Sequence, residues 1–537
     1  MRQWRSRASG LASVAALGWY IPWLLANLNW EAPWLSVPFA LAALLMASMI
    51  VITSINHWSS DRGTSRPIDV AHAPDVAVIV PTYGEPPEMV RRTAESVLGQ
   101  DYPVEHLSLI ISDDGHRLAI RELVAPLGRA YPDATIYYHE PPLRGDPRRV
   151  GEAKAGNLNS ALDFIQSGVN PPQFVETRDA DDLVGDPSFL ACAMEQLTSD
   201  QNLAFTQSIK EAQVSPGDPF GNLEPLFYRN ALPARNAANA VFPCGSGLVW
   251  RRAALEQIGG FPAWNLVEDL QSGVEALRRG WRGAYLPIVG AMGQTAPEDT
   301  ANAIKQRGTW ALDTMRLTFW GDKQGLTLGQ QLQFAELGFF YLLSFAVLAF
   351  AITPIVSLLF DIYPIVTTNA RYALHFWPLA TAIELFLVSL AGDLPFESLW
   401  RARQTWVGMA PVYARATLIA LRYGPNRKPT YRVTRKEHVH RLYWREVLPQ
   451  ALLMAALTVS AVYHVLTRSL LHTADLGSLF WAAFYVLALS RTVINAARGV
   501  SVSQVVERAS GAVVSRRRRG SARAGSHVDG LPQGRLQ

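Results

Sequence analysis

The stretch Glu176-Thr177-Arg178-Asp179-Ala180-Asp181-Asp182 sets four carboxylates within seven positions. It follows the apolar-leaning Gln173-Phe174-Val175 and precedes a helix-start signal at Asp186-Pro187. On an extended segment Asp179 and Asp181 point to one face. Hard oxygen ligands so placed can hold a divalent cation that also grips the oxygens of a diphosphate. That layout suits a nucleotide-sugar site, although a solvated acidic loop has the same composition.

Other stretches carry complementary chemistry. Lys154, in the first turn of an amphipathic helix at Gly151 to Leu162, can neutralise a diphosphate or lie on a helix surface. Val241-Phe242-Pro243-Cys244-Gly245-Ser246-Gly247 is a small-residue turn suited to close approach of a ligand or a neighbouring backbone. Nothing beside Cys244 lowers the pKa of its thiol, so a reactive cysteine is unsupported. In Leu266-Val267-Glu268-Asp269-Leu270 a carboxylate pair opens a helix. Asp269 is either a first-turn acid or a general base that takes a proton from an acceptor hydroxyl. Trp310, after Ile304-Lys305-Gln306-Arg307-Gly308-Thr309, offers a flat ring for stacking on a sugar or an anchor at a membrane interface.

These residues need a scaffold. Val76 to Val80 is a continuous apolar run between Pro74 and Pro81, the pattern of a strand buried on both faces. Leu107 to Ser112, Thr135 to His139 and Gln173 to Thr177 repeat it, each ending in polar or acidic residues. Strands alternating with helices predict a doubly wound, parallel α/β domain with its ligand at the carboxyl ends of the strands. The absence of Gly-x-Gly-x-x-Gly and of a Walker-type loop argues against a dinucleotide or ATP-grip enzyme.

The rest of the chain is of a different kind. With 49% hydrophobic residues, only 18% charged and 16 Trp in 537 residues, the apolar excess falls in six runs of membrane-spanning length. These are Leu11 to Asn29, Val37 to Ile55, Phe334 to Phe360, His375 to Leu390, Val447 to Leu466 and Leu476 to Val493. The distribution of Arg and Lys predicts both termini and the long Asn56 to Gln333 segment on the cytoplasmic side. The first run has no small-residue cleavage site after it and reads as a retained span. Two cysteines exclude a disulfide framework and a Cys-based zinc site. The basic tail, Arg516 to Arg519 and Arg523, reads as a solvated end beside anionic lipid rather than a nucleic-acid binder.

In this order the motifs resemble the processive, membrane-bound inverting family 2 glycosyltransferases, most closely the bacterial cellulose synthase catalytic subunits, over about Ala71 to Lys436. The resemblance implies a glycosyltransferase-A (Rossmann-like) domain inserted among about six transmembrane helices. It implies nucleoside contacts at Tyr83, Glu85 and Asp113, a diphosphate or donor contact at Lys154, and Asp179 and Asp181 binding magnesium or manganese with the UDP diphosphate. It assigns the catalytic base to Asp269, the acceptor-side turn to Cys244, donor contacts to Gln306 and Arg307, and stacking under the growing chain to Trp310. Tyr431, Val433, Thr434 and Lys436 resemble a gating loop, preceded by an interface helix at Phe396 to Arg422 whose arginines snorkel to headgroups.

Three departures stand out. Thr309 replaces the family arginine that meets the diphosphate, Gln207-Ser208-Ile209-Lys210 replaces a Thr-Pro-His stretch, and the tail after Arg498 is too short and polar for a c-di-GMP-binding barrel. The expected organisation is two spans in 1–56, a catalytic domain in 57–322, two spans in 323–392, the interface helix and gating segment in 393–445, two spans in 446–497 and a basic tail in 498–537. The expected activity is transfer of a hexose, glucose first, from a UDP-sugar to a growing β-linked polysaccharide passed across the bacterial plasma (inner) membrane. The alternatives are transfer of one sugar to a lipid acceptor and a catalytically silent UDP-binding sensor. Expected partners are the UDP-sugar, the polysaccharide and the bilayer, with accessory subunits left open, no nucleic acid and no in-chain c-di-GMP-binding domain.

Overall fold

A computed structural model describes residues 2–266, 268–427, 439, 441–467 and 474–498. Four strands come first: β1 (Val76–Thr82), β2 (Leu107–Asp113), β3 (Thr135–His139) and β4 (Phe174–Thr177). They pair in parallel, β2 with β3 and β1 with both β2 and β4. All seven residues of β1 are buried. Its alternate side chains enter two separate cores, Val76, Val78 and Val80 into one and Ala77 and Ile79 into the other. An unbroken apolar run is what a strand sandwiched between two helical layers requires. Helix Pro87–Leu98 contributes Val90, Ala94 and Val97 to the first core, and helix Ala153–Gln166 contributes Leu158, Ala161 and Leu162 to the second.

The parallel expectation fails beyond β4. Strands β5 (Asp182–Leu183), β6 (Leu203–Ala212), β7 (Leu248–Arg251) and β8 (Arg282–Gly293) complete one eight-stranded sheet in the order β3-β2-β1-β4-β7-β6-β8-β5. Here β7 runs antiparallel between β4 and β6. The reversal sets the Gly245 turn, which precedes β7, beside the acidic turn that follows β4: the Asp179 N–H donates to Ser246 Oγ at 3.2 Å. The acidic turn is also held from behind. Fully buried Arg178 donates to Glu176 at 2.6 Å and to the carbonyls of Leu183 and Gly290 at 2.9 and 3.0 Å.

Among the described residues six helices are long and apolar enough to cross a membrane: Gln3–Ala26, Pro33–Asn56, Leu328–Phe360, Asn369–Ala391, Leu448–Thr467 and Asp475–Ala496. A reciprocal cap starts the third, with the Gln330 N–H on Thr327 Oγ1 and the Thr327 N–H on Gln330 Oε1. Two further helices join this bundle to the sheet domain. Thr300–Trp320 packs Ala311, Leu312 and Met315 against Met409, Tyr413, Ala416 and Ala420 of Phe396–Tyr423. The latter helix also buries Val407 and Ala410 among the membrane helices. The gating-loop residues Tyr431, Val433, Thr434 and Lys436 lie outside the described residues.

Candidate active site

The acids separated by nearly a hundred positions in sequence meet around one lysine. Lys154 Nζ lies 2.7 Å from Asp179 Oδ1 and 3.1 Å from Glu268 Oε1, and donates to the Gly245 carbonyl at 3.0 Å. A second lysine lies on the other side. Lys210 Nζ is 2.9 Å from Asp179 Oδ2 and 2.6 Å from Asp182 Oδ2. Gly245 makes this convergence possible. Its φ is +84°, and a Cβ there would come within 3.2 Å of Lys154 Nζ and 3.4 Å of Asp269 Oδ2.

Asp269 opens helix Asp269–Arg278, its Oδ1 accepting from the Leu270 N–H at 2.7 Å. Burial, then the neighbouring Glu268 carboxylate, raises its pKa to about 7, against the opposing pull of Lys154. A carboxylate poised near neutrality is suited to proton abstraction. Asp179 behaves in the opposite way. Burial works against its charge, but Lys154 and Lys210 outweigh burial and hold it well below the usual carboxylate range. Burial, then Asp269, pushes the Cys244 thiol well up, so this cysteine is an inert lining group.

The cluster opens into a cavity of about 1880 Å³. From Tyr83, Lys154, Asp179, Asp181 and Asp269 its wall continues past Gln306 and Trp310 to Tyr341 and Trp406, and on to Asp361 and Tyr363 beyond the third membrane helix. Trp310 is 39% exposed, enough of its face to meet a ligand.

Several expected contacts are placed differently. Asp113 is fully buried and spent on its own loop, accepting from the Gly115 and Arg117 N–H groups at 3.1 and 2.6 Å. The acid that lines the cavity is its neighbour Asp114, because consecutive positions at a strand end face opposite ways. Glu85 lines the cavity but also accepts from Thr82 Oγ1 and the Tyr83 N–H, both at 2.8 Å, which shapes the turn that presents Tyr83. Arg144 lies over the Tyr83 ring at 4.8 Å. Arg307 turns away from the acidic cluster, donating to the Phe220 carbonyl at 3.0 Å and pairing with Glu224 at 3.5 Å. Thr309 bonds back to the Lys305 carbonyl at 2.9 Å. Lys210 and Glu268 were not foreseen as site residues, and only the departure at Gln207 to Lys210 hinted at the former.

A divalent ion fits the charge of this donor set. Asp179, Asp181, Asp182, Glu268 and Asp269 set five acids against the ammonium groups of Lys154 and Lys210, so acids outnumber bases where a diphosphate would sit. Asp179 and Asp181 would hold the ion. Yet among the described residues no group of three or more His, Cys, Asp or Glu is already arranged for one, since ammonium groups hold both oxygens of Asp179.

Residues 73–312 match the family model described as glycosyltransferase like family 2. That segment holds the mixed sheet with its acids at the strand ends, and among the described residues six helices long and apolar enough to cross a membrane flank it. The sequence is also similar to those of bacterial cellulose synthase catalytic subunits. It is 33% identical over 290 residues to the UDP-forming cellulose synthase catalytic subunit of Xanthomonas axonopodis pv. citri, covering 51% of this chain and 37% of that protein. To cellulose synthase 1 catalytic subunit of Komagataeibacter xylinus it is 30% identical over 340 residues, covering 60% and 43%. The chain thus spans less than half the length of these relatives. Among solved structures it is similar to the mannosyltransferase PcManGT from Pyrobaculum calidifontis in complex with GDP-Man and Mn2+, with a TM-score of 0.49 and 20% identity, covering 72% of this chain and 99% of that one.

Proposed function

We propose that the chain is an inverting hexosyltransferase that uses a UDP-sugar, glucose being the first donor to test, extends a β-linked polysaccharide and passes it through its own helices. What carries this reading is the convergence of Lys154, Asp179 and Asp269 at one end of a cavity that continues past Trp310 into the membrane bundle. Asp269 takes the proton of the acceptor hydroxyl as its oxygen bonds to the anomeric carbon. The bond from that carbon to the diphosphate breaks, and UDP leaves with the electron pair. Lys154 is placed to meet the charge that develops there. Asp179 and Asp181 would hold a divalent ion, which would supply further charge stabilisation. Tyr83 and Asp114 line the nucleoside end, and Trp310 offers its ring to the terminal sugar. In this reading the catalytic domain and both termini are cytoplasmic, the membrane is the bacterial inner membrane, and Tyr431 to Lys436 gate the site.

A second reading, transfer of one sugar to a lipid acceptor, draws on the apolar wall of the membrane part of the cavity, where Phe340, Leu343, Val347, Phe350, Phe376 and Trp481 offer no hydrogen bonds to a sugar chain except through the indole. One experiment separates the two. The purified full chain is incubated with a panel of UDP-sugars and magnesium, with and without lipid extract, and UDP release and product mass are measured. Release of UDP with a glycosidase-sensitive polymer is the expected result, a single-sugar lipid product selects the second reading, and no release from any common donor refutes both.

A further inference from the structure

We propose that Lys210 is a built-in occupant of the cation position, so that the nucleotide-free site rejects free divalent ions and accepts one only together with a nucleoside diphosphate. This rests on the nucleotide-sugar reading above and adds an order of binding to it. Lys210 projects from β6 and bridges Asp179 Oδ2 and Asp182 Oδ2 at 2.9 and 2.6 Å, while Lys154 takes the other Asp179 oxygen at 2.7 Å. Both carboxylate oxygens of the residue best placed to hold an ion are therefore capped by donors. An incoming divalent ion must displace an ammonium group from Asp179 and then sit close to it, and like charges at contact distance repel strongly.

A diphosphate changes that balance. Its oxygens are acceptors, and Lys154 and Lys210 both line the cavity with 28% of their side-chain surface exposed. The ammonium groups can exchange a carboxylate for a phosphate oxygen without losing their charged partner. Asp179 is then released to the ion. The glycine turn leaves room for this on the Lys154 side, since Gly245 has no side chain between Lys154 and Asp269. Lys210 is thus a positioning residue whose displacement couples two ligands that each bind poorly alone. A neutral side chain at this position, in contrast, would leave Asp179 Oδ2 and Asp182 open to an ion at all times.

Binding of Mn2+ to the purified full chain, followed by electron paramagnetic resonance of the free ion, tests this without reference to turnover. The intact protein is expected to bind Mn2+ at least tenfold more tightly with saturating UDP than without it. Lys210→Gln is expected to bind Mn2+ without UDP at least tenfold more tightly than the intact protein, and Lys210→Arg to behave like the intact protein. Equal Mn2+ affinity with and without UDP in the intact protein overturns the proposal, as does an unchanged nucleotide-free affinity in a Lys210→Gln protein with an intact thermal transition. If Lys210→Gln does not fold, the comparison within the intact protein still decides. UDP binding measured by calorimetry is the separate control: its absence, with or without Mn2+, sinks the nucleotide-sugar reading itself.

Discussion

The sharpest consequence of the site concerns acidity. With a pKa raised to about 7, Asp269 is ionised in about half the molecules at pH 7, about a tenth at pH 6 and about nine-tenths at pH 8. If it is the base, kcat/KM measured by UDP release rises tenfold per pH unit below that value and levels off above it. Glu268 is a named cause of the shift and Lys154 opposes it. Glu268→Gln therefore moves the acidic limb to lower pH, and Lys154→Met moves it higher. Asp269→Asn lowers kcat by about 10²–10⁴-fold, the usual contribution of a positioned base, while leaving UDP affinity within a few-fold. Stability carries the same signature with a defined sign. The folded protein retains a proton on Asp269 between its ordinary pKa of 3.8 and about 7, where the unfolded chain has lost it. Stability from this group is full below 3.8 and is lost as pH rises through 7. Asp269→Asn should accordingly melt higher than the intact protein at pH 8. A limb that stays in place in Glu268→Gln, or an Asp269→Asn enzyme with more than about a tenth of its activity, would refute the assignment.

Three other substitutions probe separate parts of the site. Gly245→Ala forces a side chain into left-handed backbone, costing about 1–2 kcal/mol, and crowds Lys154 and Asp269; kcat should fall at least about tenfold in a protein that still folds, and unchanged kcat would count against the convergence. Arg178→Met leaves the Glu176 carboxyl buried without its partner behind the acidic turn, so thermal unfolding should report a loss of about 3–5 kcal/mol. Trp310→Ala removes the stacking face and should raise KM for an oligosaccharide acceptor or shorten the product, with UDP affinity retained; an unchanged product distribution would place the acceptor elsewhere.

Much of this site was readable because its residues come in types with few other uses. The unbroken apolar run of β1 announces a two-sided core, and Asp179, Asp181 and Asp269 stand where strand and helix ends project side chains. What could not be read depends on pairing between distant segments. The antiparallel insertion of β7, only four residues long, brings the Gly245 turn to Asp179, and no local periodicity encodes that neighbour. The difference between Asp113 and Asp114 turns on the exact residue at which a strand ends. Lys210 resembles any basic residue on a strand until Asp179 and Asp182 are seen on either side of it.

The helix Thr300–Trp320 carries Trp310 on one side and, on another, seals Ala311, Leu312 and Met315 against Met409 and Tyr413. The half that carries the sheet is consequently no detachable cartridge. A fragment cut after Trp320 for expression in water would bare that greasy stripe and lose the brace beneath Trp310. Biochemistry on this protein belongs in detergent or nanodiscs, with the chain whole.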